Sequence, residues 1–110
     1  MRIDPMILGY RYESLSRQVK RLAPERVTLG ALRAEHGLDR CVQPGLFADL
    51  VPPATPKGLA RYPMNKRLAL YRQATRVLGG SCPVALCEET PDVWHALGLR
   101  PERKECNCGL

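Results

Sequence analysis

Residues 26–33 read RVTLGALR, and this segment has the composition of a short buried strand. Apolar and β-branched residues make up most of it, and these residue types favour strands. Gly30 lies inside the segment, and an arginine stands at each end, Arg26 and Arg33. A helical pattern precedes the segment, and strand-like runs occur before and after it in the chain. We therefore expect it to be the middle strand of a parallel sheet.

Strand and helix patterns alternate on the amino-terminal side of this segment. Residues 2–8 predict a strand, in which Pro5 fits best near the end because proline cannot donate to the hydrogen-bond ladder. Residues 11–22 predict a helix that ends before Pro24. Its apolar stripe comprises Tyr12, Leu15, Val19 and Leu22. Strand, helix and strand together predict a βαβ unit with a right-handed crossover.

The carboxyl-terminal half continues the alternation after a long interruption. Residues 34–60 are rich in glycine and proline and predict an irregular loop, with a short helical turn at residues 46–50. Residues 64–78 predict the longest helix and residues 83–87 the third strand. The apolar stripe of the long helix comprises Met64, Leu68, Tyr71, Thr75 and Leu78, and it is widened by Leu70, Ala74 and Val77. Thr90 begins a last helix, in which Trp94 is expected to pack in the core.

Arg67 falls inside the apolar arc of the long helix. We favour an arrangement in which its stem lies over the core and its charge stays in solvent. The alternative is a guanidinium group that reaches toward a site.

The order of these elements predicts an α/β fold with three parallel strands that alternate with helices. We expect it to occupy residues 1–99, followed by a polar, cysteine-containing tail at residues 100–110. Each strand is mostly apolar, which indicates burial on both faces, yet three helices can cover only one face. This mismatch indicates a piece of a larger α/β fold, such as a (β/α) barrel, in which the active site lies at the carboxyl ends of the strands. The residues at those ends are Asp4, Tyr10, Arg33, Glu35, His36, Cys87, Glu88 and Glu89.

Glu88, Glu89 and His36 are candidates for general acid–base roles at that edge. For each residue alone, a surface charge or a helix-capping role is the simpler interpretation. The sequence contains no GxGxxG or GxxxxGK[ST] nucleotide-binding motif and no GxSxG nucleophile motif.

The five cysteines do not form a recognisable zinc pattern, because none of their spacings is C-x2-C. Their odd number, without a signal-peptide pattern, argues against a secreted disulfide scaffold. Cys106 and Cys108 are separated by one residue. A soft-metal or redox pair is one interpretation of them, and two free thiols on a frayed tail is the other.

The net charge of +6 is unevenly distributed. No acidic residue occurs between Asp49 and Glu88, and the basic residues in that interval are Lys57, Arg61, Lys66, Arg67, Arg72 and Arg76. Such a stretch suits a phosphate-bearing partner such as a nucleic acid, with Lys66, Arg72 and Arg76 as the expected contacts, and a solvated helix face is the alternative. No apolar run approaches the roughly 20 residues that span a bilayer. With no signal-peptide pattern either, we expect a cytoplasmic protein.

Three segments together carry a family resemblance: RIDPMI at residues 2–7, VTLGALR at residues 27–33 and LCEETPDVW at residues 86–94. With these segments in this order, the chain resembles the carboxyl-terminal part of the spore photoproduct lyase family. These are radical S-adenosylmethionine (SAM) proteins of a DNA-repair, photolyase-like group. The resemblance extends from Arg2 to about Cys108. It implies a partial (β/α) barrel, a [4Fe-4S] cluster and SAM. Cleavage of SAM would yield a 5′-deoxyadenosyl radical that abstracts hydrogen from a thymine dimer in DNA, and the dimer then splits into two thymines.

One feature of the family is missing from the sequence. The cluster cysteines of the family lie in a C-x3-C-x2-C loop, and the sequence contains no such loop. The resemblance therefore implies that this loop and the first half of the barrel lie upstream of Met1, and that this chain is a fragment, inactive alone. It places Asp4 and Pro5 where barrel members approach SAM, and Arg33 and Glu88 on the substrate rim. It assigns no catalytic residue and no metal ligand. Two alternatives stay open: a freestanding basic nucleic-acid-binding module, and part of a radical SAM enzyme with another substrate.

Overall fold

The computed structural model describes residues 1–34, 44–53 and 58–99. The elements in chain order are β1 (Arg2–Met6), α1 (Glu13–Arg21), β2 (Val27–Ala31), β3 (Arg33–Ala34), a 3-10 turn (Pro44–Phe47), β4 (Ala60–Arg61), α2 (Met64–Leu78), β5 (Val84–Leu86) and α3 (Pro91–Ala96). Among the described residues, none of these helices is long and apolar enough to cross a membrane.

A parallel sheet of three strands forms the centre of the molecule, in the order β1-β2-β5. Strand β2 lies in the middle and is buried at all five positions, as the sequence predicts. Ile3 pairs with Leu29 on one side of it, and Leu86 pairs with Leu29 on the other. The pairing of β1 shifts between Ile3 and Met6, which places Asp4 and Pro5 at an irregularity in the strand. The predicted α/β class with a parallel three-stranded sheet is confirmed.

A second, two-stranded antiparallel sheet was absent from the sequence prediction. It pairs β3 with β4, so that Arg33 lies opposite Arg61. The sequence prediction puts Arg33 at the end of a buried strand and both Ala34 and Ala60 in the loop at residues 34–60, and it assigns Arg61 to no element. Strands of two residues are too short to show an alternating pattern, so sequence periodicity cannot reveal them. The helical turn also begins earlier than predicted, at Pro44 instead of residue 46.

The helices pack α1 against α2 and α2 against β2. The bounds of α2 agree with the prediction, and its buried residues all lie within the predicted apolar arc. Met64 is 36% exposed, whereas Arg67 is buried with Leu70, Tyr71, Ala74 and Leu78. The buried face therefore runs along the Leu70 and Ala74 side of the predicted arc, and it includes Arg67 because that residue is paired with Glu89 inside the protein.

The buried face of α1 also differs from the prediction. Leu15 and Leu22 are exposed, whereas Ser16 and Val19 are buried. Ser16 can be buried because its hydroxyl donates a hydrogen bond to the Tyr12 carbonyl oxygen, which satisfies the polar group within the helix. In α3, Trp94 packs in the core as predicted. Several sequence predictions lie outside the described residues, namely those for Glu35, His36, Lys57, Cys106 and Cys108.

Candidate functional site

An ion-pair network joins three distant parts of the chain at the carboxyl-terminal edge of the parallel sheet. Arg33 donates hydrogen bonds from Nη1 to Asp4 Oδ1 at 3.1 Å and from Nη2 to Asp4 Oδ2 at 3.2 Å. Its Nε donates to Glu88 Oε2 at 3.0 Å. The two parallel bonds to Asp4 form a bidentate pair, which fixes the guanidinium plane as well as its position. We call Asp4, Arg33 and Glu88 the edge network.

The Asp4 carboxylate has a second cationic partner. Arg2 Nη2 donates to Asp4 Oδ2 at 2.7 Å. Burial alone would raise the pKa of the Asp4 carboxyl, but the hydrogen bonds from Arg33 and Arg2 outweigh burial and hold that pKa below its usual value. Burial opposes the charge of Arg33 as well, yet its bonds to Asp4 and Glu88 raise the pKa of the guanidinium. Both groups are therefore charged at neutral pH.

Gly30 makes room for this carboxylate. A Cβ atom added to Gly30 would lie 2.6 Å from Asp4 Cγ and less than 3 Å from both carboxylate oxygens, at 2.7 and 2.8 Å. The carboxylate cannot move aside freely, because Arg33 and Arg2 both bind it. The glycine in the middle strand is thus explained by the charged group packed on it.

Cys87 and Glu88 complete the edge. The Cys87 thiol is buried and free, and its Sγ lies 3.3 Å from Arg33 Nη2. Glu88 has φ of +51°, the left-handed conformation that L-residues rarely adopt. This conformation turns the chain after β5 so that Glu88 faces Arg33 while the next residue, Glu89, points inward. Strain of this kind persists only where surrounding contacts hold it.

Glu89 lies at the centre of a second, buried cluster. Its side chain is 1% exposed. Its Oε2 accepts a hydrogen bond from the Tyr71 hydroxyl at 2.7 Å, and its Oε1 accepts one from the Thr90 amide at 3.0 Å. Two arginines approach Oε1: Arg67 Nε at 3.3 Å, without hydrogen-bond geometry, and Arg61 Nη1 at 3.9 Å.

Arg67 corrects one sequence interpretation. Its guanidinium does not extend into solvent: the residue is 9% exposed, and Nη1 donates to the Tyr62 carbonyl oxygen at 2.6 Å. The buried cation is stable there because Glu89 balances its charge and the Tyr62 carbonyl oxygen accepts a hydrogen bond from it. Arg61, Tyr62 and Arg67 also line a cavity of about 530 Å³ beside this cluster.

Tyr71 connects the cluster to the central strand. Its hydroxyl accepts a hydrogen bond from the Ala31 amide at 3.0 Å while it donates to Glu89. Burial, followed by the charge of Glu89, raises the pKa of Tyr71, so the phenol stays protonated and remains a donor. The carboxyl ends of β2 and β5 are thereby tied to α2.

The predicted nucleic-acid contacts occupy a different surface. Arg72 and Arg76 are exposed on α2 and line a groove of about 470 Å³ between α1 and α2. Lys66 is also exposed on α2 but does not line that groove. Arg76 further lines a cavity with Pro83 and Val84, at the amino-terminal end of β5. The edge network lies beyond the carboxyl-terminal end of that strand. The predicted nucleic-acid contacts and the predicted substrate rim are therefore on separate surfaces.

The described cysteines do not fit a [4Fe-4S] cluster. Such clusters require several thiolates around one centre, and Cys82 and Cys87 lie beyond opposite ends of β5 (Val84–Leu86). An extended chain rises about 3.3 Å per residue, which puts these two residues on the order of 15 Å apart. No group of three or more His, Cys, Asp or Glu residues within the described part of the chain could hold a metal ion. A cluster would need ligands from elsewhere.

Asp4 and Pro5, the predicted SAM contacts, lie at the register shift of β1 beside the edge network. Asp4 Oδ2 accepts two bonds and Oδ1 accepts one, which leaves a lone pair on Oδ1 for a further donor. Their contact with SAM stays a prediction.

Sequence reasoning missed Arg2, Tyr71 and the role of Gly30 in this region. The alternation of side chains along a strand places Arg2 and Asp4 on the same face, a signal that could have identified Arg2. Tyr71 was assigned to the core, and no pattern marks its hydroxyl as a partner of Glu89, 18 residues away.

The chain was compared with family models, with curated proteins and with solved structures. No family model, no curated protein and no solved structure matches the chain.

Proposed function

We propose that this chain forms the carboxyl-terminal part of a radical SAM barrel of the spore photoproduct lyase type, which acts on a thymine dimer in DNA. One observation supports this most strongly. The three segments that carry the resemblance each supply one residue to the edge network: Asp4 from the first, Arg33 from the second and Glu88 from the third. Segments that are far apart in the chain thus converge on one edge of the sheet.

The position of that edge agrees with the proposal. In (β/α) barrels the reacting groups lie at the carboxyl ends of the strands. Cys87 and Glu88 directly follow β5, and Arg33 lies two residues after β2. Strand β2 is buried at all five positions within this chain alone, so its burial does not require the missing part of a barrel and gives the proposal no support.

The chain's own residues would bind and orient substrate in this role. The pairing of Arg33 with two carboxylates fixes its guanidinium, so a polar substrate group would meet a rigid edge. Because the described cysteines cannot hold the cluster, SAM cleavage would depend on ligands outside the described residues, and we assign no step of it to this chain.

The test is anaerobic reconstitution of the protein with iron and sulfide. The 110-residue chain alone should form no [4Fe-4S] cluster by its visible and electron paramagnetic resonance spectra. Combined with the amino-terminal part of a family member that carries C-x3-C-x2-C, it should support formation of 5′-deoxyadenosine and thymine-dimer reversal. Arg33→Gln should reduce that activity. A stable four-iron spectrum from the chain alone would contradict the assignment of the cluster ligands.

A freestanding nucleic-acid-binding module is the second candidate function. The exposed Arg72 and Arg76 on an acid-free helix favour it. It predicts salt-dependent DNA binding by the isolated chain and no loss of function when Arg33→Gln breaks the edge network. The two candidates are therefore distinguished by the effect of Arg33 on activity.

A further inference from the structure

A groove rich in arginine runs between α1 and α2. It has a volume of about 470 Å³ and is lined by Arg11, Glu13, Ala69, Arg72, Gln73 and Arg76. All three arginines are exposed. Within the described part of the chain, none of them lies in an ion pair, so the single carboxylate of Glu13 leaves the groove with an excess positive charge.

The walls of the groove are held together by direct bonds. The Tyr12 amide, beside Arg11, donates to Gln73 Oε1 at 2.9 Å and thereby joins the start of α1 to α2. The Tyr12 hydroxyl accepts a hydrogen bond from the Ile7 amide at 2.7 Å. Arg11 and Arg72 thus project from backbones that are already fixed, so a ligand would have to order only their side chains.

The arrangement of the arginines matches a polymer of phosphates. Arg72 and Arg76 are four residues apart on one helix, so their side chains are neighbours along the same face. Arg11 faces them from the other wall of the groove. Guanidinium groups bind phosphate oxygens with two donors each, and an open groove admits a chain instead of enclosing a small molecule.

We propose that the groove lined by Arg11, Arg72 and Arg76 binds the sugar–phosphate backbone of a nucleic acid. The choice of DNA as that nucleic acid rests on the proposed function. The site is distinct from the edge network. Arg76 also lines a cavity with Pro83 and Val84 at the amino-terminal end of β5, whereas the edge network lies beyond the carboxyl-terminal end of that strand. The groove would hold the polymer without reading its sequence, since backbone contacts carry no base information.

The experiment measures DNA binding by the complete chain through fluorescence anisotropy over a range of salt concentrations. The test variant carries Arg11→Gln, Arg72→Gln and Arg76→Gln. The control carries Arg17→Gln, Lys20→Gln and Arg21→Gln, exposed residues that do not line the groove and that remove the same charge. Circular dichroism verifies the folding of each protein.

The groove variant should bind at least roughly tenfold more weakly than the control at low salt. Its slope of log K against log salt should also be less steep by about 2 to 3, since each lost phosphate contact removes about 0.9. Equal losses in the two triple variants, or no DNA binding by the unmodified chain, would overturn the proposal. If the test variant does not fold, the single variants Arg72→Gln and Arg76→Gln are compared with Arg17→Gln and Arg21→Gln, with the same order expected.

Polyglutamate of matched charge tests the alternative partner, an acidic protein surface. Binding of polyglutamate as tight as that of DNA would also overturn the proposal. The binding measurement needs neither iron nor SAM. A lack of DNA binding would therefore overturn the groove proposal alone, whereas a lack of 5′-deoxyadenosine formation would count against the proposed reaction.

Discussion

The carboxylate of Asp4 lies so close to Gly30 that a methyl group on Gly30 would stand 2.6 Å from Asp4 Cγ. Gly30→Ala should therefore displace the carboxylate from Arg33 and destabilise the fold by about 1 to 3 kcal/mol. Urea unfolding measures this change. In an Asp4→Ala background the same substitution should cost less than half as much, because the clashing group is gone. Equal costs in the two backgrounds would show that the clash with Asp4 is not the cause.

The edge network predicts a pH dependence of stability. Hydrogen bonds lower the pKa of Asp4 in the folded protein below its ordinary 3.8. The folded state therefore binds the proton less readily than the unfolded state, and the contribution of Asp4 is fully present above that ordinary pKa. It is lost as the pH falls through the folded-state pKa.

Asp4→Asn removes this titration. Urea unfolding of the two proteins between roughly pH 2 and pH 6 should show a stability difference that shrinks toward the acid end. A difference that stays constant over that range would contradict a charged Asp4 in the network.

Glu88 and Glu89 are adjacent in the chain but should respond very differently to loss of charge. Glu89→Gln leaves the buried Arg67 without its counter-ion, for which a cost of about 3 to 5 kcal/mol is expected. Glu88 is 49% exposed, so Glu88→Gln should cost about 1 kcal/mol or less. Denaturant unfolding of the two variants, each the control for the other, measures the contrast. Similar costs would contradict the inward position of Glu89.

The two described cysteines should differ in reactivity. Cys87 is 2% exposed behind Arg33, whereas Cys82 is half-buried and lines a cavity with Trp94. Alkylation of the native protein, followed by peptide mass spectrometry, should therefore label Cys82 first and Cys87 only after unfolding. Faster labelling of Cys87 would show that the edge is open to solvent.

The sequence predicted the elements whose patterns are local. The apolar run after Arg26 identified the middle strand, and the bounds of α2 follow from a helix with a clear end at Gly79. The edge at which Asp4, Arg33 and Glu88 meet followed from the parallel order of the strands, since carboxyl ends share one edge of a sheet.

The remainder depends on contacts that no local pattern contains. Arg67 lies in an apolar arc because Glu89, 22 residues later in the chain, neutralises it. Ser16 replaces Leu15 on the buried face of α1 because its hydroxyl bonds within its own helix. The strands β3 and β4, in which Arg33 pairs with Arg61, are only two residues long. They are too short to show an alternating pattern of apolar and polar residues.

The most direct test of a radical SAM barrel is the coding sequence upstream of Met1. If Asp4, Arg33 and Glu88 form the edge of such a barrel, the reading frame should continue upstream and encode a C-x3-C-x2-C loop, whose thiolates would supply the cluster ligands. An in-frame stop codon before any such loop would contradict the proposed function.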